Sequence, residues 1–173
     1  MTRPRLILLD TNVVLRLFEL GAWESVTKRF RIVLTEAVVE ESQFYTRDGE
    51  RIYIDWEPIL AAGAVEVRQV PLQEIERFKS RFDATYLERF DPGETESLTL
   101  MQSERESSIC SADAIVWRVL GNTNDGERGI SLEELLQQAG QTKSLPDQFS
   151  KAFRERWTHK GSTERFMGRG QTR

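Results

Sequence analysis

The chain has 173 residues, 39% hydrophobic and 30% charged, with a net charge of −4 and a single cysteine, Cys110. That length suits one domain able to bury roughly two thirds of its unfolded surface, and one cysteine excludes an internal disulfide and with it a secreted disulfide scaffold. The first apolar run, Leu6 to Leu9, is too short for a signal-peptide core or a membrane span, so the expectation is a cytoplasmic protein with no membrane partner.

Arg5 to Leu9 reads as a strand buried on both faces, short and apolar without polar alternation. Asp10-Thr11-Asn12 ends it and caps a helix whose Val13, Val14, Leu17 and Phe18 recur at helical spacing up to Gly21. Ala22 to Phe30 is a short irregular or helical stretch, and Arg31 to Leu34 a second strand. Thr35 then caps a helix from Glu36 to about Phe44. Asp48-Gly49 marks a turn within a loop or small hairpin over 46–56, inserted after that helix. One or two helical turns follow over 56–63, then a half-exposed edge strand over 64–70, closed by Pro71.

Ile75, Phe78, Phe82, Tyr86 and Phe90, spaced by threes and fours, predict one amphipathic helix over 72–89. Asp91-Pro92-Gly93 breaks it before a helix over 94–106. Ser107 to Ser111 is a short, rather polar strand, and Asp113 opens a helix stopped by Gly121. Ile130-Ser131 is a strand stub, Ser131 to Glu134 a capping box for a helix to Gln138, and a further helix spans 146–157. From residue 158 no period emerges, which reads as a flexible tail. The alternation of strands and helices predicts an α/β fold, a three-layer α/β/α sandwich with a short, mostly parallel sheet. It divides into a domain over 1–140 and a helical extension over 141–173. The extension is basic: from Lys151 to Arg173 seven Lys/Arg face two Asp/Glu, a charge of +5 against −9 for the rest.

Four acidic positions lie just past an apolar run or at a helix start: Asp10, Glu41, the pair Glu94 and Glu96, and Asp113. In a parallel sheet the carboxyl ends of the strands share one edge, where ligands bind at the switch in strand order. Carboxylates gathered there repel one another unless a hard cation such as Mg²⁺ or Mn²⁺ sits among them. Helix capping is an equally ordinary use for Asp10 or Asp113 taken singly. Glu41 is favoured over Glu40 because it shares a helix face with Val38, and Glu96 over Glu94 because it sits deeper in its helix. Asn12, Ser111 and Glu94 stand beside these acids as supporting groups. Lys151, Arg154, Arg156, Lys160 and Arg165 are the cations able to grip a polyanion. The lone His159 lies in the basic tail, so a His-based hydrolase or a Cys/His zinc site is excluded. No Gly-rich phosphate loop follows the first strand.

Leu6 to Leu15, through Leu9-Asp10-Thr11-Asn12-Val13, resembles the opening motif of PIN-domain ribonucleases. Thr35 to Glu41 resembles their second motif, Pro92-Gly93-Glu94-Thr95-Glu96 the Gly-Glu-x-Glu helix start of one branch, and Ser111-Ala112-Asp113 the Ser/Thr-x-Asp that ends a later strand. The resemblance, over roughly residues 5 to 140, implies a three-layer α/β/α fold and a Mg²⁺- or Mn²⁺-dependent endoribonuclease, often the toxin of a toxin–antitoxin pair. It implies Asp10, Glu41, Glu96 and Asp113 as metal ligands, with Asn12 and Ser111 orienting them or the scissile phosphate. RNA is then the substrate, and an antitoxin or a second copy of the chain the protein partner. The longer segment 46–56 and the extension past about Gly140 depart from the family pattern. The alternative is a non-catalytic PIN-like module that binds RNA or protein.

Overall fold

A computed structural model describes residues 5–172. The first half runs β1 (Leu6–Leu9), α1 (Thr11–Glu19), α2 (Trp23–Arg29), β2 (Arg31–Thr35), α3 (Glu36–Glu41), a hairpin of β3 (Phe44–Arg47) and β4 (Glu50–Tyr53), α4 (Trp56–Ala61) and β5 (Val65–Arg68). The second half runs α5 (Leu72–Lys79), α6 (Ala84–Leu87), α7 (Pro92–Ser103), β6 (Ser107–Cys110), α8 (Ala114–Thr123), α9 (Leu132–Gln138) and α10 (Lys151–Phe166). No helix among the described residues is long and apolar enough to cross a membrane.

β5, β2, β1 and β6 form, in that order, an all-parallel sheet. Alternate residues of β1 face opposite layers, as the pleat requires. Ile7 and Leu9 join a core with Val13 and Leu17 of α1, Val26 of α2 and Leu132, Leu135 and Leu136 of α9. Leu8 joins Val33 and Ile109 in a second core with Leu98 and Met101 of α7 and with Val116, Trp117 and Leu120 of α8. Helices therefore cover both faces, which is the expected α/β/α sandwich and the reason β1 carries no polar alternation. From β1 the chain steps out to β2 and β5, then returns across the sheet to lay β6 on the other side of β1. The switch in strand order thus falls between the carboxyl ends of β1 and β6, just where Asp10 and Asp113 follow their strands.

The polar strand β6 is fully buried, yet its serines are satisfied. Arg5 Nε donates to Ser108 Oγ at 2.8 Å, and Arg128 Nη2 to Ser107 Oγ at 3.2 Å. The hairpin turns through Asp48 (φ 52°) and Gly49 (φ 81°), the left-handed pair that matches strand twist. It begins at Phe44, so α3 is shorter than its sequence suggested and stops at Glu41. β5 takes the expected place at the sheet edge. Ile130 forms no strand: its N–H bonds Ile109 O at 3.0 Å, as part of a single bridge beside β6.

Three further expectations change where the C-terminal segment packs. The helix expected over 72–89 is two: α5 ends at Lys79, and Asp83 caps α6 by accepting from the Thr85 N–H at 3.0 Å. Between them the Arg81 carbonyl and the Asp83 N–H bond Thr172 and Gly170, each at 2.9 Å, instead of a helical turn. Gly121 does not stop α8, which continues to Thr123 and ends at the left-handed Asn124. Nor is the region past residue 158 a loose tail: it is helical to Phe166, and Phe153 and Trp157 of α10 pack on the second core. Gly121 is instead the point where α8 and α10 touch, backbone to backbone. A Cβ on Gly121 would collide with the Thr158 carbonyl, and one on Gly161 with the Arg118 carbonyl. Arg118 pairs with Glu164 at 2.8 Å beside this crossing. Neither backbone can yield cheaply, so Gly121→Ala is expected to destabilise the protein by about 1–3 kcal/mol. Thermal unfolding should show a Tm lower by roughly 2–4 °C for each kcal/mol, despite the better helix propensity of alanine.

Candidate functional site

Asp10 is buried (3% exposed) where β1 meets α1. Its Oδ1 accepts from the Val13 N–H at 2.8 Å, the N-cap of α1, and its Oδ2 accepts from the Ala112 N–H at 3.0 Å and from the Ser111 hydroxyl. Burial raises its pKa from 3.8 to about 6. The Ser111, Val13 and Ala112 donors oppose that rise, and the nearby Asp113 carboxylate adds to it. Ser111, fully buried, bridges two acids: its hydroxyl donates to Asp10 and its oxygen accepts from the Asp113 N–H at 3.0 Å. Asp113 caps α8 through the Ile115 N–H at 2.9 Å.

Glu94 completes this side. It is the third residue of α7 and closes a capping box: the Asp91 carboxylate accepts from the Glu94 N–H at 2.8 Å, while Glu94 Oε2 accepts from the Asp91 N–H at 3.4 Å. Its side chain is buried and bonded to the Asp113 carboxyl. Burial, then the charges of Asp113 and Asp91, hold the Glu94 pKa well above the carboxylate range. Glu41 approaches from α3. Its Oε2 accepts from the Thr11 hydroxyl at 2.6 Å, and the same oxygen stands 2.8 Å from where a Cβ on Gly93 would be. Contacts therefore run round a ring, from Asp10 through Ser111 to Asp113, on to Glu94 and its neighbour Gly93, across to Glu41, and back through Thr11 to Asp10.

Glu94, not Glu96, meets Asp113, although depth in the helix favours Glu96 as the ligand. Glu94 lies four residues before Leu98 and seven before Met101, both buried, so it shares their face. Glu96, two residues on, is turned about 200° away, and its Oε2 accepts from the Ala37 N–H at 3.3 Å. Counting back from the apolar stripe would have found Glu94. Glu40 and Glu41 are both exposed, but it is Glu41 that accepts from Thr11 and joins the ring. Asn12 is exposed on the first turn of α1. Thr11 lies in the opening motif and Gly93 in the Gly-Glu-x-Glu start, but neither pattern marks their contact with Glu41; the Asp-x-x-Glu spacing of a capping box marks Asp91.

The five cations assigned to polyanion binding divide. Arg154 pairs with Glu134 at 2.9 Å, Arg156 with Asp147 at 2.8 Å and Lys151 with Glu155 at 3.5 Å. Lys160 lies over the Trp157 ring at 4.8 Å, and Arg165, on the last turn of α10, has no carboxylate partner among the described residues. Cys110 is no nucleophile: burial and then the Asp10 carboxylate push its thiol well above the ordinary range.

Among the described residues no three His, Cys, Asp or Glu side chains are grouped so as to hold a metal ion ready-made. The acids are instead turned onto caps and onto one another. Their chemistry nevertheless fits a hard divalent cation: the donors are carboxylate and hydroxyl oxygens, and the charges of Asp10, Asp113 and Glu94 oppose one another under burial. No family model matches this sequence, and no curated protein does.

The raised Glu94 pKa fixes a pH dependence. Between the ordinary value of 4.5 and the raised one, the folded chain holds a proton that the unfolded chain releases. This group's stability contribution is therefore full below pH 4.5 and is lost as pH rises through the folded-state value. Gln at 94 can still donate to Asp113 and does not ionise. Without divalent cations Glu94→Gln should be more stable than the parent at pH 8 by at least ~1 kcal/mol, a Tm roughly 2–4 °C higher. Melting curves should show the gap closing towards pH 4.

Proposed function

We propose that this chain is a PIN-like, Mg²⁺- or Mn²⁺-dependent endoribonuclease that hydrolyses RNA phosphodiester bonds. The observation that carries the proposal is the ring of Asp10, Asp113, Glu94 and Glu41 at the switch between β1 and β6. The motif resemblance, which implies Asp10, Glu41, Glu96 and Asp113 as ligands with Glu94 in the same Gly-Glu-x-Glu start, supports it, as does the fold. These four residues would hold the cation, with Glu94 in place of Glu96. When bound, such a cation supplies a water of lowered pKa and neutralises charge on the phosphoryl oxygens. The chain's own part is positional. Ser111 fixes Asp10 relative to Asp113, Asp91 sets the first turn of α7 so that Glu94 enters the ring, and Thr11 turns Glu41 inward. Burial beside Asp113 raises the Glu94 pKa, and a cation held here would favour the ionised carboxylate. A toxin paired with an antitoxin protein is the biological setting the resemblance implies.

Asp113→Asn is the sharper test, because asparagine keeps the α8 cap. Asp10→Asn would point an amide at the Ala112 N–H. Asp113→Asn is expected to lose Mn²⁺ affinity and RNA cleavage by about 100-fold or more, beyond the 10–100-fold typical of residues that only support a ligand. Parental cleavage by this variant would refute the assignment. Among the cations, Lys160→Glu with Arg165→Glu should weaken RNA binding and flatten its salt dependence. Unchanged affinity would remove α10 from the interface.

A second reading, a non-catalytic PIN-like module binding RNA or protein, is favoured by one observation: Asp10, Asp91 and Asp113 all serve as helix caps. Calorimetric titration of the parent with Mn²⁺ separates the two, since the module has no need to bind it.

A further inference from the structure

Gly93 stands on the first turn of α7, buried, between the capping Asp91 and Glu94. Its φ is not in the left-handed region, so the backbone does not require glycine there. Helix propensity disfavours glycine, the weakest helix former apart from proline. What the position lacks room for is a side chain. A Cβ would stand 2.8 Å from Glu41 Oε2 and 3.4 Å from both Glu41 Cδ and Oε1. The Glu41 carboxylate thus rests against a bare Cα at the start of a helix, with the Thr11 hydroxyl donating to it at 2.6 Å. Partial positive charge at that helix end favours the contact.

We propose that Gly93 is a positioning residue that acts through Glu41: its missing side chain sets how closely that carboxylate approaches Glu94 and Asp113. This role presupposes the metal site proposed above. A methyl at 93 meets the far end of a flexible, exposed side chain rather than backbone. Glu41 would swing aside and the fold would be spared, which separates this position from Gly121.

The test uses the full chain and Mn²⁺ as the probe. Gly93→Ala without metal should melt at the parental temperature or up to ~2–4 °C above it, while its Mn²⁺ affinity by calorimetry falls roughly 10–100-fold, as for other residues that orient a ligand. Glu41→Asp placed in the Gly93→Ala background withdraws the carboxylate by one methylene and should recover affinity over Gly93→Ala alone. A purely structural role for Gly93 would give no such rescue. If the parent binds Mn²⁺ and Gly93→Ala binds it equally, the role is overturned while the site stands. A Gly93→Ala protein that melts well below the parent also overturns it, because Glu41 did not yield. If the parent itself does not bind Mn²⁺, the metal site falls and this role with it.

Discussion

The pairing of β1 with β6 is the constraint on which the rest of this molecule depends. Leu9 stands opposite Cys110, and the ladder runs one bond further, from the Asp10 N–H to the Cys110 carbonyl at 3.2 Å. Residues separated by about a hundred positions are thereby held side by side, and the Ser111 hydroxyl can join the two acids that follow the strands. Shift that register by one residue and Asp10 would lose its Ala112 and Ser111 donors while still buried. An unpaired buried carboxylate is among the more costly defects a protein can carry.

Charge at this edge works against the fold that creates it. Burial raises both Asp10 and Glu94, and the neighbouring acids raise them further. Backbone amides supply the compensation, since three helices begin here: Val13, Glu94 and Ile115 each donate to an acid, and Thr11 and Ser111 add hydroxyls. Helix capping by these residues would not by itself prevent them from binding a cation. Caps fix where the carboxylates stand, and their crowding leaves the negative potential that a hard cation would relieve.

The far face of the second layer is held differently. α10 lies so close to α8 that glycine is needed on both sides of the crossing, and the partly buried Arg118–Glu164 pair ties the helices beside it. Tyr86 of α6 also bonds Glu164, while Asp83 and Asn122 anchor the backbone at residues 169 and 170. This C-terminal segment is thus a wall of the domain, and Lys151, Arg154 and Arg156 are spent on ion pairs with Glu155, Glu134 and Asp147.

Much of this could be read from residue order. β1 and β2 announce themselves by continuous apolar runs, and Asp10, Thr35, Ser131 and the Asp48-Gly49 turn act as caps or turn within a few residues of their own position, so local chemistry was enough. The parallel sheet and its helical layers follow from that alternation. Which of Glu94 and Glu96 turns inward, what the bare Cα of Gly93 meets, why Gly121 must be glycine, where the helix over 72–89 breaks, and that residues 158–166 are helical rather than loose could be settled only by contacts made across the fold. Each depends on a partner outside the local pattern: Asp113, 19 positions from Glu94, or Glu41, Thr158 and the Gly170–Thr172 backbone, farther still. A linear pattern records what a residue prefers, whereas these features record what it meets.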